Sequence, residues 1–119
     1  MERTRKFDLE ERLIRFSVMV LDLVEKLPKT FAGKHLEGQL VRSSTSPALN
    51  YGEAQAAESN KDFIHKLKIC LKELRETQIC LKIIMAKPLI SEEDVEPVLK
   101  EAGELVAIFT ASVKTARRK

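Results

Sequence analysis

Ser46, Asn50 and Glu53 are spaced four and three residues apart, which puts a hydroxyl, an amide and a carboxylate on one face of a helix. Together with Glu76, such a face could hold a polar ligand, or bring two carboxylates together for acid–base work if burial raised one pKa. Its available partners are Glu73, Arg42 and Arg75. The same face has a plainer use as a polar layer that fixes the register of packed helices, as a lone Asn does in a coiled coil. A second set of side chains, Lys61, Lys66, Lys68, Lys72, Arg75 and Lys82, could track phosphates and give salt-dependent, weakly sequence-selective binding to RNA or DNA. Acids are interspersed among them and no stacking aromatics lie among these basic residues, so a solvated face competes with that reading.

Other chemistry has less to stand on. His35 and His65 are the only histidines, and neither has an arginine at the upstream spacing that helical ribonucleases of the Arg–His type need. Asp62 and His65 have the acid-x-x-His spacing of a di-iron bundle, which requires that motif on two helices. Cys70 and Cys80 fall in one helical pattern about 15 Å apart along its axis, too far for a disulfide, and make no zinc set. No phosphate-binding loop or nucleophile elbow is present. These readings imply no enzyme, no metal and no cofactor, and reduced thiols imply the cytoplasm.

The elements that must carry these residues read as four helices, at about 8–27, 33–57, 60–86 and 92–115. In the first, Leu9, Leu13, Phe16, Val20, Leu23 and Leu27 form a four-three seam that packs on neighbours, and Pro28 ends it. Ile14, Val18 and Leu21 form a second stripe beside that seam. The second helix is unusual: its seam of Leu36, Leu40, Ser43, Pro47, Asn50, Ala54 and Ala57 turns from apolar to small and polar. Pro47 is expected to kink it, with the hydroxyls of Ser43, Ser44 or Thr45 serving the freed backbone groups. The third opens at Ser59 with Asp62 in a capping-box-like start, and its seam runs through Phe63, Leu67, Cys70, Leu74, Thr77, Leu81 and Ile84. Its far side carries Ile69, Ile79 and Ile83. The fourth starts at Ser91 or Asp94, with Leu99, Ala102, Val106, Phe109 and Val113 as seam; a start at Ser91 would put Pro97 inside the helix and kink it.

With 119 residues, 44% hydrophobic and only 5% aromatic, the chain suits one all-α domain over 1–119. Short connections imply an antiparallel up-down-up-down four-helix bundle. Second apolar stripes on two helices point to a homo-oligomer, with Ile14, Val18, Leu21, Ile69, Ile79 and Ile83 as interface candidates. The net charge of +3 permits nucleic-acid contact without announcing it, although an oligomer would multiply the field. The basic residues at the start precede no apolar core of a signal peptide, and no apolar run approaches a membrane span, so no membrane role is expected.

The run Gln39-Leu-x-Arg42, Ser46, Asn50 and Glu53, followed by Ser59, Asp62-Phe63-Ile64, Leu67, Ile69 and Glu76-Thr77, resembles the bacterial four helix bundle protein family. That family includes proteins encoded in intervening sequences of large-subunit ribosomal RNA genes and, more distantly, the accessory protein of diversity-generating retroelements. Pro47 directly after the serine and Ala54 directly after the glutamate depart from the family pattern. The resemblance implies an antiparallel bundle, often a homopentamer, with no known catalytic activity. It also implies a partner such as structured nucleic acid or a reverse transcriptase. A binding module with a basic surface is therefore the expected function, with a structural or protein-interaction bundle as the alternative.

Overall fold

The computed structural model describes residues 8–119, so the basic residues expected at the extreme N-terminus lie outside the described part. Four helices follow one another: α1 (Leu9–Val24), α2 (Phe31–Gln55), α3 (Asn60–Ala86) and α4 (Glu92–Arg117). No strand occurs among the described residues. Each helix begins at a side chain that accepts a hydrogen bond from a backbone N–H three residues on: Asp8 from Glu11, Thr30 from Gly33, Ser59 from Asp62 and Ser91 from Asp94. The order of contacts, α1 on α2, α2 on α3, α3 on α4 and α4 back on α1, is that of an up-down-up-down bundle.

Pairs across the helices confirm the antiparallel sense. Arg12 reaches Glu101 and Glu104 on α4 while Lys26, at the other end of α1, reaches Asp94. The Arg12 guanidinium spans Glu101 with two bonds of 2.6 and 2.9 Å, and this pairing holds its proton more firmly than usual. Between α2 and α3, Ser43 meets Thr77 and Glu53 meets Lys66.

The core is the expected seam of α1 and α3 almost residue for residue, with Phe16, Val20, Leu74, Leu81 and Ile84 fully buried. Phe63 is half-buried. The α4 seam is shifted by about one residue: Val95, Val98, Leu105 and Ala116 join Ala102, Phe109 and Val113, while Leu99 and Val106 are half-buried at its edge. Adjacent apolar residues at 98–99 and 105–106 made the two phases look alike in sequence. The first helix also stops short of Pro28, at Val24, and the following turn still buries Leu27.

Of the four prolines, Pro47 and Pro97 lie inside helices that run through them. Ser91 is the α4 cap, so Pro97 falls in the second turn on the exposed side, where water can serve the Glu93 carbonyl that it leaves free. Pro47 is buried, and the polar groups around it bond inward: Ser17 Oγ donates to the Ser44 carbonyl at 3.2 Å, and Cys70 Sγ lies 3.4 Å from the Pro47 carbonyl. Gly33, in the first turn of α2, packs so tightly on the preceding turn that a Cβ there would stand 1.9 Å from the Pro28 carbonyl oxygen.

Candidate nucleic-acid interface

The polar face of α2 does not converge as its sequence suggested. Asn50 Nδ2 donates to the Ser46 hydroxyl at 2.9 Å and to the Ser46 carbonyl at 3.1 Å, so the amide is used within its own helix. Glu53 pairs with Lys66 at 2.6 Å, and this contact raises the ammonium's pKa. Glu76 is held elsewhere, by Arg42, which also bonds Glu73 and Gln39. Lys66 and Glu76 are ten residues apart on α3, about 15 Å along the axis, so Glu53 and Glu76 form no carboxylate pair. Arg75, offered as a partner for this face, forms no ion pair with any of its residues and lines a groove between α2 and α3 together with Arg42 and Glu76.

The hydroxyl-rich stretch is likewise satisfied from within. Ser43 and Thr77 share a hydrogen bond of 2.8 Å in the core, and Thr77 also donates to the Glu73 carbonyl. Thr45 donates to the Val41 carbonyl at 2.7 Å. Among the described residues no buried side-chain nitrogen or oxygen lacks a partner. Such saturation is what a packing layer needs, since an open ligand site would keep groups to offer.

The chain belongs to the 23S rRNA-intervening sequence protein family. The family model, described as "23S rRNA-intervening sequence protein", matches residues 5–111. A crystal structure of a protein of unknown function from the S23 ribosomal protein family of Bacteroides thetaiotaomicron superposes with a TM-score of 0.83 at 30% identity, covering 90% of this chain and 99% of that one. No curated protein matches the chain.

In this family member a run of unpaired cations gathers on the outer face of α3. At 100° per residue, Lys61, Lys68, Lys72, Arg75, Ile79, Lys82 and Ile83 fall within an arc of roughly 100°. The five cations of that arc are exposed and have no carboxylate within salt-bridge distance among the described residues. Lys66 is not one of them: it sits on the α2 side of the helix, tied to Glu53. Below Lys68, Lys72 and Arg75 opens a groove of ≈ 860 Å³ between α2 and α3. Its floor is apolar, from Leu36, Leu71, Ile79, Cys80 and Ile83; Glu76 lines it from α3, paired with Arg42, and Arg42 and His35 contribute from α2, a contribution the periodicity of α3 alone could not show.

Of the six apolar interface candidates, five are exposed: Ile14 (48%), Val18 (49%), Leu21 (39%), Ile79 (56%) and Ile83 (48%). Ile69 differs, being half-buried and rotated from the Ile79 position by roughly 80° toward α2. Leu49, 69% exposed on the outer side of α2, was missed because it belongs to no repeating stripe. Both cysteines are free and buried. Burial pushes the Cys70 thiol up to about 12, despite Lys66 nearby, and raises Cys80 as well, so neither is a thiolate nucleophile at neutral pH. Among the described residues no cluster of three or more His, Cys, Asp or Glu side chains could hold a metal, and no helix is long and apolar enough to cross a membrane.

Proposed function

We propose that this protein is a non-enzymatic, self-associating module that binds structured nucleic acid through the outer face of α3. The observation that carries the reading is the row of five exposed cations gathered on one helical face with no carboxylate paired to any of them among the described residues. Phosphates spaced along a backbone suit such a row, because each contact releases a counterion and needs no base-specific geometry. The absence of stacking aromatics from the row favours duplex or folded RNA, met along its backbone, over splayed single strands. We place the activity in the cytoplasm, a reading supported by two thiols that are free and buried.

Self-association is supported by the two exposed apolar stripes, which lie on different faces of the bundle. A contact that covers both joins unlike surfaces and is therefore head-to-tail, the arrangement that closes into rings. The same stripes support a second reading, a protein-interaction bundle with no nucleic-acid role.

Fluorescence anisotropy of a labelled RNA hairpin and a matched DNA duplex, titrated at several salt concentrations, separates the two. Five phosphate contacts give a log–log salt slope of about −4. Lys61→Glu with Lys82→Glu, both outside the groove, should lower the affinity and flatten that slope by about 2. Absence of binding at low salt would leave the protein-interaction reading.

A further inference from the structure

The α1 stripe and the α3 groove are complementary in shape class and in charge. On α1, Ile14, Val18 and Leu21 make a narrow exposed ridge, and by helical geometry Glu10 lies on one flank with Glu11 and Asp22 on the other. Glu25 continues the ridge toward the end of the helix, and the one base near this face, the exposed Arg15, stands beyond Asp22 on one flank, so the four acids dominate the ridge. The groove has the opposite character: an apolar lining that includes Ile79 and Ile83, rimmed by Lys68, Lys72 and Arg75, while its one carboxylate, Glu76, is already paired with Arg42. Within one chain the two surfaces lie on different faces of the bundle, so the ridge can enter the groove only from a second copy. Burying apolar ridge on apolar floor removes both stripes from water, and the flanking acids meet the rim cations.

Those rim cations are also three of the five that the proposed function assigns to phosphates. We infer that self-assembly and polyanion binding compete: a neighbour's acid-flanked α1 ridge and a nucleic-acid backbone occupy the same groove rim, so each drives the other off. The inference rests on the nucleic-acid reading above and adds its regulation. Two ligands of one set of cations show negative coupling by linkage, with nucleic acid dissociating the assembly and assembly weakening nucleic-acid affinity by the same factor.

The test uses the full-length chain and Val18→Glu, an exposed position where a carboxylate spoils the ridge without entering the core. Sedimentation velocity reports the mass, anisotropy with a labelled RNA hairpin reports affinity per chain, and circular dichroism checks that the helices remain. The expected result is an assembled wild type whose mass falls as RNA is added. Val18→Glu should be monomeric and bind the hairpin roughly fivefold or more tightly per chain, although the substitution itself adds negative charge. A monomeric variant that binds as the wild type does, or more weakly, overturns the competition while leaving the nucleic-acid reading in place. So does a wild type that is monomeric, or one that binds RNA with its mass of assembly unchanged. If neither chain binds at low salt, the nucleic-acid reading itself has failed, and the competition with it.

Discussion

Thr77→Val should destabilise the bundle more than its near-isosteric shape suggests, because of what it strands. Thr77 is fully buried and Ser43 is 2% exposed, and their hydroxyls meet at 2.8 Å. Valine fills the same volume, so no cavity opens. The bond from Thr77 to the Glu73 carbonyl is lost at little cost, since that carbonyl remains in the helical ladder. The Ser43 hydroxyl, however, loses the partner it has, and an unpartnered buried hydroxyl costs about 1–3 kcal/mol. Ser43→Ala is milder: Thr77 keeps Glu73, and alanine's better helix propensity returns roughly 0.5 kcal/mol. Removing both hydroxyls strands nothing. The double variant is therefore expected to recover most of the Thr77→Val loss, a coupling of about 1 kcal/mol or more. Urea unfolding followed by circular dichroism measures this, with chain concentration fixed because association shifts apparent stability. If Thr77→Val and the double variant unfold together, or if Ser43→Ala is the costlier single change, the buried pair is not the constraint described here.

Gly33→Ala should cost about 2 kcal/mol or more, since a Cβ 1.9 Å from the Pro28 carbonyl oxygen forces the turn before α2 to move; an unchanged urea midpoint would show that the turn yields freely. Asp94 titrates below its usual value of 3.8 because Lys26 and then the Ser91 hydroxyl hydrogen-bond its carboxylate. A folded-state pKa below the unfolded one means that its contribution is present above pH 3.8 and is lost as pH falls through the lower folded value. Asp94→Asn should thus be the less stable chain near neutrality, with its deficit closing on acidification below about pH 4; a deficit constant with pH would contradict this.

The helices were legible because their apolar positions recur at the right period, and the polar network was not because it depends on register between helices. Leu9 to Leu27 and Leu67 to Ile84 repeat at four and three, and burying such a stripe dictates where each helix faces. Where apolar residues sit side by side, as at Val98 and Leu99, the pattern fixes the face only to within one residue, and the α4 seam shifted accordingly. For Ser46, Asn50 and Glu53 the shared face was right and the partners were wrong. Asn50 found Ser46 one turn away in its own helix, a contact needing no tertiary alignment. Glu53 found Lys66 because the two straddle the turn between α2 and α3 at equal remove, as Ser43 and Thr77 do farther along. That register follows from where the turn lies, and once Ser59 is recognised as the α3 cap it excludes Glu76 as a neighbour of Glu53.

The run of hydroxyls before Pro47 therefore has a packing explanation, and that explanation redirects the search for function. Small side chains at 43–48 let α2 lie close to α1 and α3, and each polar group brought in is answered: Ser43 by Thr77, the Ser44 carbonyl by Ser17, Thr45 by Val41. Groups already bonded to one another have little to gain from a ligand. Side chains with something to gain gather on the outer face of α3, where five cations lack counter-charges beside two isoleucines half in water. An isolated chain would leave both kinds of surface exposed. Any partner that covers the isoleucines must pass the cations of the rim, so apolar burial and charge neutralisation at this groove cannot be chosen independently. A partner chain supplies both through an acid-flanked ridge and a polyanion supplies only the second, which is why the assembled mass of the protein is the quantity most sensitive to what binds there.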